Sequence, residues 1–140
     1  MTVKLLIFEG ADKTGKSQLM AEYNKKTRFK DVCVDRAFLS NYVYSLLRQE
    51  YDCGNFLNAL CKINEVIPVL IIYCFCSLQT LEKRLESSPE EHVIFVKSSL
   101  KTYENVLPIF QSRGIKIIQI NTDESLEECV NKLIKQVEEA

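Results

Sequence analysis

The chain has 140 residues, a length that suits one domain with a substantial buried core. Hydrophobic residues make up 46% and charged residues 26%, which excludes a disordered chain. The net charge of −1 excludes broad attraction to nucleic acid or anionic membranes, although a local basic groove would be hidden in that total. No apolar run approaches the length of a membrane span, so a single domain over residues 1–140 with no membrane partner is expected.

Residues 3–8, Val-Lys-Leu-Leu-Ile-Phe, predict a buried strand. A glycine-rich loop leads into a helix over about 16–26, with Leu19, Met20 and Tyr23 on one face. Residues 31–35 predict a short second strand. A mostly helical stretch over about 40–66 follows, broken near Cys53-Gly54-Asn55. Residues 69–75, apolar throughout, predict a third strand buried on both faces.

Ser77 predicts a helix cap ahead of Leu78, Leu81 and Leu85. Ser88-Pro89-Glu90-Glu91 predicts a second helix start, with Ser88 as the cap. That helix carries a stripe of Val93, Val96, Leu100, Tyr103, Leu107 and Phe110, is expected to kink at Pro108, and ends at Gly114. Residues 115–120 predict a fourth strand. The last helix, about 124–138, places Leu126, Cys129, Val130, Leu133, Ile134 and Val137 on one face.

Strands alternating with helices imply an α/β fold: a parallel sheet of about four strands, flanked by helices on both faces. The first strand is expected to be central. Ligands of such sheets bind at the carboxyl ends of the strands, after residues 8, 35, 75 and 120.

The six cysteines are 33, 53, 61, 74, 76 and 129. The chain enters a strand at once from Met-Thr-Val-Lys, a pattern without a secretory signal, so reduced thiols and a cytoplasmic location are expected. Cys74 and Cys76 alternate along the third strand and are expected to share a face as core residues rather than as a zinc site.

Gly10-Ala-Asp-Lys-Thr-Gly15-Lys16-Ser17 fits G-x-x-x-x-G-K-[ST] at every specified position. The glycines let backbone N–H groups converge on phosphate oxygens, and the following helix presents its positive end to the same anion. Lys16 can reach the β- and γ-phosphates, and the Ser17 hydroxyl can coordinate Mg²⁺. The loop lies between a buried strand and an amphipathic helix, the context this chemistry needs. Gly10, Lys13, Thr14, Gly15, Lys16, Ser17 and Gln18 are therefore the expected phosphate-side residues, and ATP with Mg²⁺ the expected cofactors.

At Phe8-Glu9-Gly10-Ala-Asp12-Lys-Thr-Gly15-Lys16-Ser17 the sequence resembles thymidylate kinases and the related deoxynucleoside kinases. Asp35-Arg36-Ala-Phe-Leu-Ser40 looks like their acidic residue–Arg segment, and Leu81-Glu82-Lys83-Arg84-Leu85 is similar to the start of their lid. Asn121-Thr122-Asp123 resembles the adenine-side loop, which makes Thr122 and Asp123 nucleotide-side candidates. The resemblance implies a three-layer P-loop NTP hydrolase fold, with the strands in the spatial order second, first, third, fourth by analogy with P-loop kinases, and a kinase. Family members have another strand and further substrate-binding helices before the Asp-Arg strand, and the deoxynucleoside kinases take a catalytic carboxylate from that strand. Here about ten residues separate Lys26 from Asp35. No second lid arginine follows Arg84. The compact form is similar to phage members of the family.

Asp35 would end a strand beside the loop, where it could hold a magnesium-bound water or orient the acceptor; capping the next helix is its other reading. Arg36 could bind an acceptor phosphate through its planar fork, or lie at the surface. Asp12 sits where a carboxylate near phosphates is unfavourable unless it faces another group. The resemblance implies a sugar hydroxyl. Arg84 could reach the transferred phosphoryl group or occupy a solvated helix face. Phe38, Tyr42, Tyr44, Tyr51 and Phe56 are available to stack on a base, although most such residues pack in cores. His92, the only histidine, reads as a surface helix residue without a catalytic role.

The leading expectation is an ATP-dependent nucleotide or nucleoside kinase. Its rivals are a kinase of a modified base in DNA, a slow ATP-hydrolysing switch, and a degenerate nucleotide binder. A homo-oligomer would be favoured if the missing strand leaves an open sheet edge.

Overall fold

The computed structural model describes residues 2–140. Elements follow in the order β1 (Leu5–Glu9), α1 (Lys16–Thr27), β2 (Val32–Asp35), α2 (Leu39–Leu47), α3 (Gly54–Val66), β3 (Val69–Phe75), α4 (Leu78–Arg84), α5 (Glu90–Ser112), β4 (Lys116–Asn121) and α6 (Leu126–Glu139). The four strands form one parallel sheet in the order β2-β1-β3-β4, as expected.

Alternation along the two inner strands builds a core on each face of the sheet. Leu6, Phe8, Leu70, Ile72 and Cys74 pack with Leu19 and Tyr23 of α1 and with Cys129, Val130, Leu133 and Val137 of α6. Ile7, Val69, Ile71 and Tyr73 face the other way, onto Leu39 and Val43 of α2, Leu57 and Leu60 of α3, and Val96, Tyr103 and Phe110 of α5. Each fully buried side chain of this size stabilises by roughly 1.5–3 kcal/mol. The register pairs Phe8 with both Asp35 and Ile72, so β2 ends beside the end of β1, while β3 runs on past both to Phe75.

Several local expectations are corrected. Cys74 and Cys76 do not share a face: β3 ends at Phe75, and beyond it the chain turns so that Cys76 packs against the opposite core. Ser88 does not cap α5; Pro89 occupies the cap position without a side-chain hydrogen bond, and Glu90 and Glu91 face the helix dipole instead. Ser77 caps α4 as expected, accepting from the Thr80 N–H. Pro108 lies inside α5, which continues to Ser112. Leu126, expected on the buried face of α6, is exposed at the first residue of that helix, where it borders a small cavity with Gln18 and Thr122 rather than packing into the core. All six cysteines are free thiols. Among the described residues, no helix is long and apolar enough to cross a membrane.

Candidate active site

The loop between β1 and α1 is held from three sides. Gly10 has φ 143°, and a Cβ there would lie 2.4 Å from the carbonyl oxygen of Cys74. The loop thus leaves β1 directly against the end of β3. Gly10→Ala is expected to lower stability by about 1–3 kcal/mol from backbone conformation alone, with the steric clash added. A denaturation midpoint equal to that of the unsubstituted protein would refute this. Inside the loop, the Thr14 hydroxyl donates to the Ala11 carbonyl at 2.7 Å, and the Thr122 hydroxyl donates to the Thr14 carbonyl at 2.6 Å. Gly15 has φ 79° and is the N-cap of α1, so no side chain competes for the N–H groups of the first turn.

Those N–H groups open into a cleft of about 680 Å³. Loop residues 11–18 line it, together with Asp35, Arg36 and Arg84. The sheet order makes this convergence. β2 pairs beside β1, so Asp35 ends level with the loop, and the Lys16 ammonium forms an ion pair with its carboxylate. The Ser17 hydroxyl reaches the other Asp35 oxygen at 3.4 Å. Lys16 is almost buried, whereas Asp35 is 42% exposed at its side chain.

Arg36 lies in the same cleft, and its guanidinium pairs with the Asp12 carboxylate and donates to the Gly10 carbonyl at 3.2 Å. Burial is the largest single influence and works against the charge on Arg36, but the hydrogen bond to Asp12, together with the nearby Asp12 charge, Tyr44 and Tyr103, holds the guanidinium above its ordinary range. Asp12 therefore has the partner that a carboxylate beside phosphates requires. Its second oxygen lies 3.6 Å from His92 Nε2. His92 is on the face of α5 that looks onto this loop, which the sequence did not reveal.

Arg84 lines the cleft, and its guanidinium is anchored by hydrogen bonds to the Lys13 carbonyl at 2.9 Å and the Thr122 carbonyl at 3.2 Å. Thr122 lies behind the loop and, with Gln18 and Arg84, borders a smaller cavity of about 120 Å³. Asp123 borders neither; its carboxylate accepts from the Ser77 N–H at 3.0 Å. Of the candidate aromatic residues, Tyr42 packs edge-on against Phe110, Tyr44 stacks on Phe95, and Tyr51 is fully exposed.

The most buried charged group was given no role from sequence. Glu9, at the end of β1, is 0% exposed. Its carboxylate accepts from the Ala37 N–H at 3.2 Å, the Ser40 N–H at 3.1 Å and the Ser40 hydroxyl. Ser40 shares a further hydrogen bond with the Tyr103 hydroxyl at 2.7 Å. Burial pushes the Glu9 carboxyl up to about 7, against the hydrogen bonds from Ser40 and Ala37 and the charge on Arg36, which pull it down. The available signal was a carboxylate in strand alternation with Ile7, on a face that must be buried.

No protein-family model matches the sequence, and no curated protein matches it. Solved structures do match. The YorR protein of Bacillus subtilis, solved in complex with phosphorylated GDP, is 20% identical, with 96% of each chain covered and a TM-score of 0.74. A deoxyadenosine kinase from M. mycoides, solved with bound dATP, is 14% identical, with 97% of this chain and 100% of that chain covered and a TM-score of 0.61. At these identities the likeness is one of fold, and the three-layer P-loop fold expected from the sequence is shown by it.

Proposed function

We propose that the protein is an ATP-dependent phosphotransferase acting on a nucleotide or nucleoside. The observation that carries this reading is the meeting, in one cleft, of the loop amides at the N-terminus of α1 with Lys16, Ser17, Asp35 and Arg36. An anion-binding floor supports nucleotide binding. A second cation and a carboxylate on a separate strand support a site for a second reactant. The fold is shared with a deoxyadenosine kinase and with a protein solved with phosphorylated GDP, which fits an acceptor of this class.

In this reading the N–H groups of the loop and of the first turn of α1 hold the donor's phosphates. Lys16 exchanges Asp35 for the β- and γ-phosphates, which releases the Asp35 carboxylate. Ser17 and Asp35 offer hard oxygen donors 3.4 Å apart, a pairing that fits Mg²⁺, which keeps waters and phosphate oxygens as its other ligands. When bound, the ion neutralises charge on the transferring phosphoryl group. Arg36 faces the acceptor, and Asp12 holds its fork in place. Arg84 fixes Lys13 and so the wall of the loop.

Arg36→Ala is expected to weaken acceptor use by roughly ten- to a hundredfold, about 1.5–3 kcal/mol, with a much smaller effect on ATP binding. Steady-state kinetics with calorimetry separate the two, and equal effects on both would remove Arg36 from the acceptor side. The function is tested by ATP consumption in the presence of each nucleoside, each monophosphate, and single- and double-stranded DNA. Consumption that needs a nucleoside or monophosphate supports the proposal. Consumption with DNA alone, or with no acceptor, overturns it.

A further inference from the structure

The turn between β2 and α2 carries the acceptor-side arginine in an unfavourable backbone conformation. Arg36 has φ 59°, and Phe38, the N-cap of α2, has φ 47° and ψ −63°. Neither is glycine. Such conformations persist only where the surroundings over-determine them. α2 also lacks a side-chain cap of its own.

Glu9 supplies both needs from a different strand. Its two oxygens receive three donors, two of them N–H groups that flank Phe38, at Ala37 and Ser40. On the other side of Arg36, its own N–H donates to the Phe8 carbonyl at 3.0 Å. Residues 8 and 9 thus grip the turn before and after the arginine. The Gly10 carbonyl, next in sequence, receives the Arg36 guanidinium. We infer that Glu9 is a positioning residue, which aims Arg36 into the cleft by holding the Ala37–Ser40 turn in register with the phosphate loop. The inference rests on the phosphotransferase reading for its consequence, but its geometry stands without it.

A carboxylate is needed because three donors converge on two acceptor atoms. A glutamine amide would keep one acceptor and turn an NH₂ donor toward a donor. The Ser40 hydroxyl is further fixed by Tyr103 of α5, so the same network ties the turn to the helix that carries His92.

The test is an NMR measurement on the full chain at pH 8, where Glu9 is ionised. Arg36 Nε is shut off from solvent, so its N–H should exchange slowly, and Arg36→Lys assigns the signal by removing it. Glu9→Gln is expected to speed that exchange at least tenfold, with ATP–Mg²⁺ affinity measured by calorimetry within about threefold of the original. Ser40→Ala leaves both backbone bonds to Glu9 and is expected to give a smaller acceleration; it serves as the test if Glu9→Gln does not fold. If Glu9 only caps α2, both variants will speed amide exchange through Val43 and Tyr44 and leave the Arg36 signal unmoved, which overturns the inference. Failure of the unsubstituted protein to bind ATP–Mg²⁺ would overturn the kinase reading instead, and the Arg36 signal would still decide the role of Glu9.

Discussion

Lys16→Ala is expected to reduce ATP turnover by at least about a hundredfold, the scale of losing one preorganised group that stabilises transition-state charge. The fold should survive. Lys16 is the second residue of the loop–helix junction, and its ammonium contacts Asp35 rather than either core. Asp35 is 42% exposed at its side chain, so water can replace the lost partner. The variant should also bind ATP–Mg²⁺ more weakly, because the freed Asp35 carboxylate then faces the phosphates without a neighbouring cation. Calorimetry and a melting curve measure the two properties separately. Unchanged affinity together with unchanged turnover would remove the phosphate loop from the proposed chemistry.

A pH effect of about 3 kcal/mol on stability is expected from Glu9 alone. Its carboxyl is raised from an ordinary 4.5 to about 7, with burial the largest cause. One pKa unit corresponds to about 1.4 kcal/mol, which sets the size. Between pH 4.5 and pH 7 the unfolded chain has released this proton while the native chain retains it. The native state then binds more protons, so stability falls as pH rises through this window. Below pH 4.5 both states are protonated and the contribution is flat; above pH 7 both are ionised and the loss is complete. Urea unfolding of the protein and of Glu9→Gln at several pH values isolates the effect, since the remaining carboxylates are common to both. The difference between the two stability curves should change by about 3 kcal/mol from pH 4.5 to pH 8. Parallel curves would show that Glu9 titrates as an ordinary carboxylate.

Much of this molecule was legible in order along the chain, because its signals are local. Apolar runs at residues 69–75 and helical stripes predicted the elements, strands separated by helices predicted a parallel sheet, and the resemblance to P-loop kinases supplied the strand order that is found. The phosphate loop was legible because all its requirements, glycine conformations, a helix N-terminus, one lysine and one hydroxyl, fall within residues 10–17. Where local signals compete, the reading failed. Ser88 and Pro89 both suit a helix start, but the Ser88 N–H is tied back to the Leu85 carbonyl at 2.9 Å, and the first turn begins at Glu90. Cys76 continues the alternation of β3 on paper, but the strand ends one residue earlier.

What sequence alone determined, then, is the loop and the layered sheet that presents it, since backbone conformation and hydrophobic periodicity are written in neighbouring residues. What only the tertiary structure decided is how distant groups meet around that loop. Asp35 reaches Lys16 and Arg36 reaches Asp12 because β2 pairs beside β1, His92 comes within 3.6 Å of Asp12 from the first turn of α5, and Asp123 turns away to Ser77. Glu9 is the clearest case. Its place in the sequence says only that a carboxylate ends a strand, and burial there is unfavourable unless donors are brought to it. Those donors, at Ala37 and Ser40, lie about thirty residues away and arrive only when the sheet has assembled.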